Sequence, residues 1–293
     1  MGDSSRGDHE EHSTRFALPH NGGARLKIAM WPGSATVREK NMRSASITIN
    51  RRDFDAAIFD LDGVLTSTAR LHAAAWKAVF DAFLQKWAQR SRLTFEPFDI
   101  VADYLHYVDG RPREDGIRDF LGARGISLPE GSEDDPKDAD TVHTLGEQKT
   151  RLFLQALKKG IDPAAGAEAL LQKLRRVGIK TALGSSSKNT VAILHAAGLK
   201  DRFDACVDGL AAEALKLPGK PNPALFLETA RRLGVQPLRG IIFEDALAGV
   251  EAGKRGHFGC VVGIDRGQQS MALHHHGADL VIESLREVHV KTN

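Results

Sequence analysis

Cysteine is nearly absent: Cys206 and Cys260 are the only two in 293 residues, too few for a disulfide framework and in no metal-binding spacing. Both fall in strand-like apolar runs, FDACVDG and FGCVVGI, so packing is their expected use. An excess of charge of one sign is missing too. The 40 Lys and Arg against 38 Asp and Glu leave a net charge of +2. That excludes the broad basic footprint of nucleic-acid binding or of docking on anionic lipid, while a few local cations would still suffice for a small anionic ligand. No apolar run approaches the ~20 residues that span a bilayer, and no apolar signal core opens the chain. A cytoplasmic protein is expected, without nucleic-acid or membrane partners. Self-similarity at a period of roughly 20–50 residues is also lacking, so a solenoid or propeller is excluded.

The chain is 42% hydrophobic, enough to bury a proper core at this length. Residues 1–52 mix Gly, Ser, His and charges without a sustained period, apart from the short patch LKIAMW around Ile28 and Trp31. This stretch is expected to be a disordered extension, with order beginning near Asp53. Ala56-Ala57-Ile58-Phe59 then reads as a buried strand emptying into the turn Asp60-Leu61-Asp62-Gly63. Residues 68–158 carry helical periodicity, broken at Gly110-Arg111-Pro112 and in an acidic loop from Pro129 to Pro136, which predicts a helical insertion. Residues 53–67 and 159–293 form the remaining core. There, apolar runs at 179–183, 203–207, 241–243, 260–264 and 278–282 alternate with amphipathic stretches. The fold class that follows is α/β: a doubly wound parallel sheet covered by helices on both faces, interrupted by a small helical cap.

In open parallel sheets ligands bind outside the carboxyl ends of the strands. Phe59 leads into Asp60 and Asp62, Leu183 into Gly184-Ser185-Ser186-Ser187-Lys188-Asn189, and Phe243 into Glu244-Asp245, while a further loop carries Gly219-Lys220-Pro221. Clustered carboxylates repel one another unless a hard cation neutralises them, and Mg²⁺ accepts one or two carboxylates together with phosphate oxygens. With a metal and Lys220 masking phosphate charge, a carboxylate can attack phosphorus and split one hard displacement into two. Ser185 would donate a hydrogen bond to the phosphoryl oxygens. Taken singly, an Asp-x-Asp after a strand is usually a turn, and a Gly-Ser-Ser-Ser run is usually a loop with a helix cap. The order of all four is what carries information.

That order, Asp60-Leu61-Asp62-Gly63-Val64, Ser185, Lys220-Pro221, Glu244-Asp245, resembles the four motifs of the haloacid dehalogenase superfamily. The helical insertion after the first motif is similar to the β-phosphoglucomutase-like subfamily. The resemblance implies Asp60 as nucleophile and Asp62 as general acid and base. It implies Mg²⁺ on Asp60, on the backbone carbonyl of Asp62 and on Asp245, with Glu244 nearby, and Ser185 and Lys220 on the transferring phosphoryl group. Ser187 and Asn189 match positions that help bind substrate phosphate or sugar. In the cap, Thr68, His72 and Trp76 recur at four-residue spacing on one helix face. For Trp76 plain packing is the preferred reading, whereas Thr68 and His72 match residues that sense cap closure and engage the Asp62 position. Arg113 matches a cap arginine that grips the phosphate not undergoing transfer, and Lys149 a lysine that contacts the sugar.

The implied activity is conversion of β-D-glucose 1-phosphate to glucose 6-phosphate through an aspartyl-phosphate enzyme and a sugar bisphosphate, by a monomer. Two alternatives stand beside it: a Mg²⁺-dependent phosphatase of a small sugar phosphate, and a catalytically silent binding module. The chain departs from the family in having Thr150 and Phe153 where Asn and Tyr are usual, and in reading Lys220-Pro221-Asn222-Pro223-Ala224 at the third motif. His274-His275-His276 is expected to be solvated, since adjacent side chains on a helix diverge.

Overall fold

The computed structural model describes residues 46–267 and 269–291. In chain order the elements are β1 (Ile47–Ile49), β2 (Ala56–Phe59), α1 (Ala69–Ser91), a π-helical turn (Tyr104–Val108), α2 (Arg113–Ala123), α3 (Val142–Leu157), α4 (Ala167–Arg176), β3 (Lys180–Gly184), α5 (Thr190–Ala196), β4 (Ala205–Val207), α6 (Gly209–Ala214), α7 (Ala224–Leu233), β5 (Gly240–Glu244), α8 (Leu247–Arg255), β6 (Cys260–Ile264), α9 (Ser270–His275), β7 (Leu280–Ile282) and β8 (Val288–Val290). Among the described residues, no helix is long and apolar enough to cross a membrane.

Six strands form one parallel sheet in the order β4-β3-β2-β5-β6-β7. Successive side chains of a strand point to opposite faces, and β2 uses both. Ala57 and Phe59 pack into one cluster with Leu170, Leu174 and Phe243, whereas Ala56 and Ile58 pack into a second with Phe226, Ile242 and Val250. Burial on both sides explains why the strand reads as an unbroken apolar run rather than an alternating one. Chain order reverses at β2, whose neighbours are β3 and β5, and this is where such sheets open a crevice. Phe59 is in register with Leu183 on β3 and Phe243 on β5, so the residues that follow these three strands leave the sheet side by side.

The insertion has its own core. Trp76, Phe80 and Phe83 of α1 pack with Phe98, with Ile117 and Phe120 of α2, and with Leu145 of α3. Phe80 anchors it, 4.3 Å from Phe120 and 5.1 Å from Phe98 between ring centroids.

Two expectations change. Order begins before Asp53: β1 pairs in parallel with β8, Ile47 opposite Val288, as a separate two-stranded sheet. Three-residue strands are too short to show a period, and pairing with β8 sets Ile47 and Ile49 into the main apolar cluster. Residues 1–45, where the rest of the expected extension falls, lie outside the described residues. The run at 278–282, expected to be the last strand, is β7, and one further strand, β8, follows it after a turn capped by Ser284.

Phe59 and Phe243 stack across adjacent strands at 4.8 Å, both fully buried, one residue before Asp60 and Glu244. Phe243→Ala should therefore lower unfolding free energy by about 3–5 kcal/mol, the usual cost of an aromatic cavity, as read from urea denaturation. A loss below about 1 kcal/mol would mean that this stack does not brace the sheet's carboxyl edge.

Candidate active site

The turn after β2 places Asp60 and Asp62 at the crevice. The Asp62 backbone N–H donates to Asp60 Oδ2 at 2.9 Å, which fixes the Asp60 carboxylate against its own turn. Gly63 sits at φ +91°, and a side chain there would collide with Asp245 and Arg266, so the turn needs glycine. Asp60, Glu244 and Asp245 are all buried, each with an oxygen within 4.8 Å of the others'.

Lys220 lies between them. Its Nζ donates to Asp60 Oδ1 at 2.6 Å and to Glu244 Oε1 at 2.7 Å. Burial alone would discharge the ammonium, but Asp60 and Glu244 overcome it and hold Lys220 above its ordinary range. Burial pushes Asp60 up to about 7, against Lys220 and with help from Glu244 and Asp62. Asp245 is raised as well: burial leads, Arg266 opposes it, and Glu244, Asp109 and Asp60 add to it. Glu244 Oε2 accepts from the backbone N–H groups of Asp245 and Ala246 at 2.6 and 3.1 Å, so both its oxygens are in use. Asp245 Oδ2 is buried and meets the Arg266 guanidinium as an ion pair rather than as a formed hydrogen bond. Three buried carboxylates whose oxygens converge form a hard-donor set suited to a divalent cation.

Asp62 is governed from α1. Thr68, at the N-cap of that helix, makes no capping bond; its hydroxyl donates to Asp62 Oδ1 and bonds Thr66 Oγ1. His72 Nε2 lies 3.2 Å from the same Asp62 oxygen, and its Nδ1 is 2.6 Å from Lys149 Nζ of α3. Although burial would raise Asp62, His72, Thr68 and Lys149 together bring it below its ordinary value. Lys149 falls to about 7, through burial and the repulsion of Arg113, with Asp62 opposing. Phe153 stacks on the His72 ring at 4.0 Å, and Trp76, itself buried, has Lys149 Nζ 5.1 Å above its ring.

Ser185 closes the β3 side, with its Oγ accepting from the Ser187 N–H at 3.1 Å, while Ser187 Oγ accepts from the Asn189 N–H at 3.2 Å. Arg113, at the start of α2, faces the same cavity. Its guanidinium is engaged within the cap, by Glu114 and Glu147 at 2.8 Å, Thr150 Oγ1 at 2.7 Å and the Gly146 carbonyl at 3.1 Å. The cavity encloses about 70 Å³. Of the residues singled out from sequence, Asp60, Asp62, His72, Trp76, Arg113, Lys149, Ser185, Ser187, Asn189 and Asp245 line it, while Thr68, Lys220 and Glu244 stand directly behind.

Three charged residues escaped the sequence reading. Lys188 bridges core and cap, donating to Glu114 at 3.0 Å and to Glu213 at 2.8 Å. Arg266, two residues past β6, pairs with Asp245 and donates to Asp109 at 2.7 Å. Reading the end of that fifth strand as the others were read would have found Arg266. Asp109 lies in a turn with no periodic signal. The histidine triplet is not part of this site: His274 meets the Ala278 carbonyl at 3.1 Å, and His276 lies 3.6 Å from Glu251.

A profile of haloacid dehalogenase-like hydrolases matches residues 54–257. The chain is 47% identical over 238 residues to a protein named β-phosphoglucomutase from Mycobacterium bovis, covering 80% of this chain and 90% of that one. It is 32% identical over 234 residues to β-phosphoglucomutase from Bacillus subtilis, covering 80% and 91%. The crystal structure of β-phosphoglucomutase from Clostridium difficile superposes with a TM-score of 0.62 at 28% identity, covering 80% of this chain and 92% of that one.

The raised Asp60 predicts a pH signature in EDTA. Between its ordinary 3.8 and about 7, the unfolded chain has lost the proton that the folded chain keeps, so stability contributed by this group falls as pH rises through that window. Asp60→Asn should flatten the decline and melt higher than wild type at pH 8 in EDTA. Parallel melting-temperature curves for the two proteins from pH 4 to 8 would contradict this account of the buried charge.

Proposed function

The chain belongs to the haloacid dehalogenase-like hydrolase family, and on that premise we propose that it is a magnesium-dependent phosphotransferase interconverting β-D-glucose 1-phosphate and glucose 6-phosphate. The relatives' activity and the site's chemistry both support this reading.

The cycle starts from an enzyme phosphorylated on Asp60. The 6-hydroxyl of glucose 1-phosphate gives its proton to the Asp62 carboxylate and attacks phosphorus, the bond from phosphorus to the Asp60 oxygen breaks, and a sugar bisphosphate forms. After the bisphosphate turns round, Asp60 attacks the phosphorus on the C1 oxygen. Asp62 returns the proton to that oxygen, releasing glucose 6-phosphate and restoring phospho-Asp60. Asp60, the backbone carbonyl of Asp62 and Asp245, with Glu244 beside them, would hold Mg²⁺, which would supply the positive charge that lets two anions meet. Lys220 and Ser185 hold the transferring group, and Ser187, Asn189, Lys149 and Arg113 hold the rest of the substrate.

The observation that carries the reading is the restraint on Asp62. Its carboxylate is ionised and held from the cap by Thr68 and His72, with Lys149 behind. A proton carrier positioned by the cap acts only when the cap is shut over a substrate, which favours a sugar hydroxyl over water. At about 70 Å³ the cavity has room for a few waters but not for a sugar bisphosphate, so the cap must move for substrate to enter and turn. Arg113 then exchanges a carboxylate for the distal phosphate. Glu147 is the readier to leave, with a side chain 55% exposed.

Arg113→Ala should cut conversion of β-glucose 1-phosphate to glucose 6-phosphate by at least about 10²-fold, the loss of a buried charge-assisted contact. Hydrolysis of a small aryl phosphate, which has no second phosphate, should change far less, and Arg113→Lys should restore only part because it lacks the fork. The assay runs with Mg²⁺ and a trace of glucose 1,6-bisphosphate. Equal losses in both reactions would make Arg113 a support of the cap, and faster release of free phosphate than of glucose 6-phosphate by wild type would replace the mutase with a phosphatase.

A further inference from the structure

We propose that Arg266 is a positioning residue that couples the carboxylate of Asp245 to the base of the cap, by dividing one guanidinium between Asp245 and Asp109. The proposal rests on the reading of Asp245 as a metal ligand and goes beyond it, since neither Arg266 nor Asp109 takes part in the phosphoryl path.

The geometry is that of a clasp. Arg266 Nη2 donates to Asp109 Oδ2 at 2.7 Å, while Nε lies against Asp245 Oδ2 as an ion pair. Both carboxylates are almost wholly buried, with side chains 8% and 2% exposed. Asp109 closes the π-helical turn Tyr104–Val108, its N–H donating to the Tyr104 carbonyl at 2.9 Å; such turns concentrate at functional sites. Asp245 closes β5 in the core. Gly63 of the Asp60 turn seals the pair, since any side chain there would strike both Asp245 and the Arg266 stem.

Charge accounting gives the clasp its consequence. Lys220 serves Asp60 and Glu244, and among the described residues Arg266 is the cation within contact of Asp245 and Asp109. A buried carboxylate stripped of its partner is strongly destabilised, so Arg266 offsets part of the cost of burying Asp245 and holds its carboxylate in place. When Asp245 turns its oxygen to a metal, the guanidinium shifts its weight to Asp109 and tightens the cap's base. Coupling of this kind is reciprocal: a stronger hold by Asp109 on Arg266 must favour metal binding, and a weaker hold must oppose it.

The test is a double-mutant cycle on binding of MgCl₂ alone, followed by titration calorimetry. Asp109→Asn leaves Arg266 undivided on Asp245 and should weaken Mg²⁺ binding by about 3- to 10-fold, the range for residues in one network. Arg266→Gln removes the competitor and should tighten binding, and Asp109→Asn added to it should then have no effect. Arg266→Lys decides between a clasp and a charge field. It preserves every formal charge but cannot reach both carboxylates with a fork, so the effect of Asp109→Asn should shrink in that background as well. An undiminished effect of Asp109→Asn in either Arg266 variant overturns the clasp, as does weaker binding in Arg266→Gln. If wild type binds no Mg²⁺, the reading of the metal site falls together with the clasp, whereas binding with purely additive effects removes the clasp alone.

Discussion

Everything at the carboxyl edge of the sheet depends on neutralising buried negative charge. Asp60, Glu244 and Asp245 bring oxygens within 4.8 Å of one another. At an effective dielectric constant of about 20, two unit charges that close repel by about 3 kcal/mol, so three ionised groups without counter-charge would consume most of a typical domain's stability of about 5–15 kcal/mol. Lys220 and Arg266 meet that constraint from inside the protein, one ammonium between Asp60 and Glu244 and one guanidinium on Asp245. Their incomplete compensation leaves Asp60 and Asp245 raised. The residual strain is what gives the site an appetite for a hard cation and for a phosphoryl group brought with it.

The cap is tied to this edge by polar bonds as well as by apolar packing of Ala75 on α1 and of Phe153 and Leu157 on α3 into the sheet's cluster. Thr68 and His72 of α1 hold Asp62, Ser186 Oγ donates to the Gly110 carbonyl at 3.0 Å, Lys188 reaches Glu114, and Arg266 reaches Asp109. The aromatic centre of the cap, Trp76, Phe80, Phe98 and Phe120, lies in a cluster distinct from that of the sheet, although Leu152 of α3 packs against both. Polar contacts of this kind are individually modest and can be exchanged with water, which suits a lid that must open and shut. Thr68 illustrates the compromise. It stands where a hydroxyl would cap α1, at a stability cost of about 1 kcal/mol when the cap bond is missing, yet it turns to Asp62 instead.

Much of this was readable from residues because parallel strands buried on both faces write themselves as apolar runs, and their ends mark the site. Asp60, Ser185, Glu244 and Asp245 were found that way, and Lys220 from the motif order. What escaped lacks such a signal. β1 and β8 are three residues each and are stabilised by each other across nearly the whole chain. Asp109 acquires its role only from burial beside Arg266. Arg113 was marked only by its match to a cap arginine of the family, not as a guanidinium already held by Glu114 and Glu147, because no sequence pattern tells whether a guanidinium is free or engaged.

The central claim is that Asp60 carries the phosphoryl group. Brief exposure of the protein to glucose 1,6-bisphosphate with Mg²⁺, acid quenching and peptide mass spectrometry tests it most directly. The account predicts a phosphoryl group on the peptide containing Asp60, absent in Asp60→Asn and discharged when glucose 1-phosphate is added before the quench. Phosphorylation of a different residue, or none in a protein that still makes glucose 6-phosphate, would contradict it.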